Sequence, residues 1–211
     1  MTTISAPHTT ALTTELRYLA LGDSYTIGEA VDEAGRWPMQ LARLLRQEGV
    51  LLGDPRIIAT TGWTTDELDA AITAAEPLGQ HDFVSLLIGV NNQYRGRDVE
   101  EYRTQFAALL WRAIGFAGNR PDRVLVLSIP DWGVTPFGAK SGRDAAQIAR
   151  QLDAYNLAAR EACTQRGVAF VDITPVSRAH GAEPAMVADY GLHPAAAMYT
   201  EWARLAFPVA H

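Results

Sequence analysis

A three-layer α/β/α sandwich around a five-stranded parallel sheet is the fold class this sequence predicts, and three observations carry that reading. Short apolar runs alternate with amphipathic stretches of helical period, the pattern of strands joined by crossover helices. No repeat, low-complexity linker or break in composition divides the chain. Its 211 residues, 48% hydrophobic and 20% charged, suffice to bury one full core. Taken in order, strands are expected over residues 17–21, 56–59, 83–88, 123–129 and 168–171. Helical periodicity falls between them, over residues 39–47, 65–74, 99–116, 143–166 and 195–207. Trp37-Pro38 opens the first helix, proline being favoured in a first turn. Asp66 and Glu67 place negative charge at the start of the second, as the helix dipole favours. Gly167 stops the fourth at its C-terminus. The longest irregular piece spans residues 130–142. Residues 1–14 are polar and Thr-rich, without the basic and apolar regions of a signal peptide, so they read as a flexible tail before a single domain over residues 15–211.

Composition narrows the function classes. A formal charge of -6 and the lack of a basic cluster argue against a nucleic-acid or acidic-membrane partner. No run is long and apolar enough to span a bilayer. The one cysteine, Cys163, lies in a helical pattern where a small buried hydrophobe fits, and it excludes an internal disulfide and a Cys-rich metal site. A cytoplasmic location is expected. There is no His-Glu-x-x-His, Walker loop or Gly-x-Gly-x-x-Gly, so neither metal nor cofactor is implied.

The chemistry sits at strand ends. The first apolar run breaks into Gly22-Asp23-Ser24, placing a serine at the carboxyl edge of the sheet, where open α/β folds build their sites. The second strand is followed by Thr61-Gly62-Trp63 and the third by Gly89-Val90-Asn91-Asn92. Acyl transfer needs donors aimed at the oxygen that becomes negative, and the N–H of Gly62, the amide of Asn91 and the N–H of Ser24 supply them. Near the far end, Gly191-Leu192-His193-Pro194 offers a base for the serine. Tyr94, Trp132 and Phe137 follow strands on the same edge and are candidates to line a substrate pocket.

In order and spacing these blocks resemble those of the SGNH hydrolases, the GDSL esterases and lipases, from about Tyr18 to Trp202. The resemblance implies a flavodoxin-like sandwich with Ser24 as nucleophile, His193 as general base, and Gly62 and Asn91 in the oxyanion hole. Two positions depart from the family pattern. Asn92 stands where the family has aspartate, a change expected to alter a loop contact rather than the chemistry. Three residues before the histidine, the family's aspartate is replaced by Tyr190, with Asp189 one place upstream. The group that orients His193 is then Asp189, if the loop is bulged, or a backbone carbonyl. The function expected is a serine esterase acting on a small or short-chain ester, such as an O-acetyl sugar, through an acyl-enzyme. An acyltransferase with the same residues and a non-catalytic, flavodoxin-like binding module are the alternatives.

Overall fold

The computed structural model describes residues 14–211, so all of the expected tail except Thr14 lies outside the described residues. Strands β1 (Tyr18–Gly22), β2 (Arg56–Ala59), β3 (Phe83–Leu87), β4 (Val124–Leu127) and β5 (Ala169–Val171) form one sheet in the order β2-β1-β3-β4-β5. Every neighbouring pair is parallel, and Gly22 stands level with Ala59 and Leu87, so the strand ends share one edge. The chain steps from β1 outward to β2 and then back across to β3. The topological switch point therefore lies between β1 and β3, the crevice where doubly wound sheets bind ligands.

The longer helices cover the two faces. Helix α2 (Trp37–Gln47) packs on α9 (Ala196–Ala210), while α3 (Thr65–Ala75), α5 (Val99–Phe116) and α7 (Ala145–Arg166) pack in a row against the other side. Their starts are fixed locally. The Thr64 N–H donates to Glu67 in a capping box, Asp98 accepts from the N–H groups of Glu100 and Glu101, and Asp144 accepts from that of Ala146. Gly167 ends α7 in the left-handed conformation the sequence led one to expect. The strands are apolar on both faces because both are covered: Leu19, Ala20, Leu21, Val84, Leu86 and Val126 have no solvent exposure. Cys163 is buried as expected, and burial pushes its thiol up to about 12, an inert packing residue.

The segments between strands and long helices hold short helices that periodicity does not reveal: α1 (Ser24–Ile27), α4 (Val90–Tyr94), α6 (Pro136–Lys140) and α8 (Thr174–His180). The stretch expected to be irregular, residues 130–142, contains α6 and a preceding 3-10 turn, Trp132–Val134. Asp131 caps that turn through the Gly133 N–H, and Thr135 caps α6 through the Gly138 N–H. One turn of helix is too short to show a 3.6-residue pattern, but its caps and proline are local signals.

Candidate active site

Ser24 starts α1 where β1 ends, and it is nearly buried. The Asp23 carboxylate accepts the Tyr25 N–H at 3.0 Å and holds this tight strand-to-helix turn. Asp23 has no solvent exposure, and burial pushes its carboxyl up to about 7 despite the amides around it. Among the described residues the N–H groups of Ser24 and Gly62 have no hydrogen-bond partner. Gly62 has a φ of +90°, a conformation that orients its N–H and that side chains rarely adopt. Asn91 is the second residue of α4, whose N-cap Gly89 has a φ of +131°. A side chain at Gly89 would collide with Tyr102 and Ile129.

The loops after β2 and β3 are stapled together. Asn91 Nδ2 donates one hydrogen to the Trp63 carbonyl at 2.9 Å, which fixes the amide and leaves its second hydrogen free. Arg95 donates to the Gly62 carbonyl at 2.6 Å and pairs with Glu67, so this arginine is committed to the scaffold. Asn92, fully buried, accepts the Thr65 N–H at 3.1 Å and donates to Thr65 Oγ1 at 2.7 Å. Its departure from the family's aspartate is therefore a loop contact, and one in which the amide gives a hydrogen that a carboxylate lacks.

His193 comes from the loop before α9, pinned by a bridge between Val187 and Pro194 and by the Ala188 N–H on the His193 carbonyl at 2.8 Å. Within it, the Gly191 N–H closes on the Ala188 carbonyl at 2.7 Å, a tight turn with Asp189 and Tyr190 at its centre. This corrects the expectation for Asp189. The turn has no bulge, Asp189 points to solvent, and the Tyr190 hydroxyl occupies His193 Nδ1. Nor does a backbone carbonyl hold that nitrogen. Burial lowers the His193 pKa, and the charge of Glu29 partly offsets this. Burial also pushes the Tyr190 phenol up to about 12, so it is neutral near pH 7.

Ser24, Gly62, Asn91 and His193 line one open cleft, walled by Tyr25, Thr61, Val90, Tyr94, Trp132, Phe137 and Leu192. All three expected lining aromatics are thus present. Trp132 is 2% exposed, held by its indole N–H on Gln93 Oε1, and it forms the cleft wall. Tyr94 is 41% exposed, packed edge-on against Trp132 and capped by the Arg143 guanidinium 4.2 Å from its ring. Among the described residues no hydrogen bond joins Ser24 to His193, a contact of the kind that often tightens only in a Michaelis complex.

Solved structures resemble this fold over nearly its whole length. A crystal structure of TesA is 20% identical, covers 92% of this chain and 97% of its own, and superposes with a TM-score of 0.69. Axe2, an acetylxylan esterase from Geobacillus stearothermophilus, is 19% identical over 92% and 94% of the two chains, with a TM-score of 0.69. The lipase/acylhydrolase from Enterococcus faecalis is 19% identical over the same shares, with a TM-score of 0.65. No curated protein matches. Among the described residues no helix is long and apolar enough to cross a membrane. The GDSL-like lipase/acylhydrolase family model matches residues 20–200, from β1 into α9, and so takes in all four converging residues: the chain belongs to that family and is a carboxylic ester hydrolase.

Proposed function

We propose that the protein is a serine esterase that works through an acyl-enzyme on small or short-chain acyl groups, O-acetyl groups of sugars among them. The observation that carries this reading is the convergence of Ser24, His193, Gly62 and Asn91 in a single cleft. His193 Nε2 takes the Ser24 proton as Oγ attacks the ester carbonyl, and the oxyanion rests on the N–H groups of Ser24 and Gly62 and the free hydrogen of Asn91 Nδ2. The imidazolium then gives its proton to the departing alcohol. Water, deprotonated by His193, attacks the acyl-enzyme and releases the acid and Ser24.

The segments around the cleft are short and the buried Trp132 forms its wall, which favours a small acyl group over a long chain. The Tyr94 ring at the rim, covered on one face by Arg143 and 41% exposed, has an apolar surface suited to the C–H face of a sugar. The similarity to an acetylxylan esterase points the same way. A fluorophosphonate probe followed by peptide mapping tests the reading. Ser24 is the residue expected to carry the label, with acetyl esters turned over faster than octanoyl ones. Labelling elsewhere, or none in the native protein, would refute it.

A further inference from the structure

A histidine that must become an imidazolium gains from a nearby negative charge, and the residue on His193 Nδ1 does not carry one. For Nε2 to accept the Ser24 proton, Nδ1 must hold the hydrogen and the Tyr190 oxygen must accept it. A neutral phenol can do that, yet it stabilises the cation much less than a carboxylate would. The protein's other acids near the site are poorly placed to help. Asp23 is buried, and the desolvation that raises its carboxyl to about 7 disfavours its charged form. Asp131 is spent on Arg178 at 2.8 Å, and Asp189 faces solvent at its turn.

Glu29 differs from all of these. It lies one residue beyond Gly28, where α1 ends, and its N–H donates to the Ser24 carbonyl at 3.0 Å, so its backbone is tied to the nucleophile's own turn. Its carboxylate accepts a hydrogen bond from Thr61, which lines the cleft beside Gly62. The carboxylate is therefore tied to the loop that carries Gly62 rather than loose in solvent. Two phenols flank the His193 ring, Tyr25 at 5.6 Å and Tyr190 at 5.7 Å between ring centroids. The Glu29 charge raises the pKa of both Tyr190 and His193, the direction expected of a carboxylate that favours the imidazolium.

We infer that Glu29 is a positioning carboxylate for His193: with Tyr190 as the hydrogen-bond acceptor, it supplies the negative charge that an aspartate three residues before the histidine would otherwise provide. The inference rests on the esterase reading. The role is divided between two residues, the phenol setting the imidazole tautomer and the carboxylate balancing its charge. Because Glu29 is only half-buried and does not touch the imidazole, its share is smaller than that of a triad aspartate, whose neutral replacement costs about 10⁴-fold.

The test is Glu29→Gln, with and without Tyr190→Asp, in the full chain, followed by steady-state kinetics on p-nitrophenyl acetate and by NMR titration of the His193 imidazole. Glu29→Gln should lower kcat roughly 10- to 100-fold with KM nearly constant, and should move the His193 midpoint to lower pH. Adding Tyr190→Asp puts a carboxylate directly on Nδ1 and should restore about tenfold or more of the lost kcat. Thr61→Val, which frees Glu29 without removing its charge, should cost only about two- to fivefold and controls for a purely structural role. An unmoved His193 midpoint in Glu29→Gln, or a Tyr190→Asp change that restores nothing, overturns the inference. Failure of the unaltered protein to label at Ser24 would instead defeat the esterase reading, while the NMR midpoint would still report whether Glu29 acts on His193.

Discussion

The two halves of the site are built by different means. On the proposed oxyanion side, backbone and scaffold do the work: Gly62, Trp63 and Thr65 after β2 are tied to Arg95, Asn91 and Asn92 after β3, respectively. On the histidine side, a tight turn presents His193, and its partner is a half-exposed tyrosine side chain. The first half is preorganised by bonds that cross between strand ends, so its donors need no rearrangement as charge develops. The second half depends on one phenol and, by our inference, on the carboxylate that Thr61 holds. Substitutions should therefore cost most where the chemistry is direct or the scaffold rigid, and least at the acid that sequence spacing singles out.

The largest effect is expected at Ser24, where Ser24→Ala should remove about three or more orders of magnitude in kcat with the fold intact. Asn91→Ala follows. It should cost roughly 100- to 1000-fold in kcat with little change in KM, because in the proposed mechanism its free N–H acts on the transition-state oxygen. A change confined to KM would instead make Asn91 a ground-state binding residue and weaken the contrast between the halves. Asn92→Ala probes the stapling without touching substrate. It strands the Thr65 N–H in a buried setting, so melting should report a loss of about 1–3 kcal/mol, with a smaller fall in kcat than Asn91→Ala gives. Equal losses of kcat in the two variants would show that the loop staple, not the Asn91 donor, governs the rate.

The pH profile sharpens the histidine half. His193 acts as a base only when neutral, and burial lowers its pKa below the ordinary imidazole value. Activity should therefore rise with pH through a midpoint below about 6.5, and be at its plateau by neutral pH. A midpoint above that value would mean that the imidazolium is favoured more strongly than its burial allows. The Glu29 charge would then outweigh desolvation.

The sheet was legible because parallel strands covered on both faces are short apolar runs, and runs such as Tyr18–Gly22 and Val124–Leu127 stand out against amphipathic helices. That Gly62 and Asn91 line one cleft was legible for a related reason: each follows a strand within a few residues, so chain position places them in space. Short helices such as α6 escaped because a single turn has no period. Arg95 was readable as a cation but not as a partner of the Gly62 carbonyl, 33 residues away. Glu29 shows the limit most clearly. Its partner Thr61 is 32 residues distant, and nothing local marks a glutamate after a glycine as part of a site.

Asp189 is the converse case, a residue whose sequence position suggested a role that its turn does not allow. The Gly191 N–H on the Ala188 carbonyl fixes Asp189 and Tyr190 as the two central residues of a tight turn, and only the second of them reaches His193. Asp189→Asn removes an exposed charge with no ion-pair partner among the described residues. Exposed charges are screened within about 10 Å at ordinary salt, so the change should leave kcat within about twofold and the His193 midpoint in place. The same assay separates the two neighbours, because Tyr190→Phe deletes the acceptor on Nδ1 and should lower kcat by about tenfold. If Asp189→Asn instead abolished activity, the turn would have to open in solution and bring the aspartate onto the histidine. The two halves of the site would then be alike in relying on a conformational step.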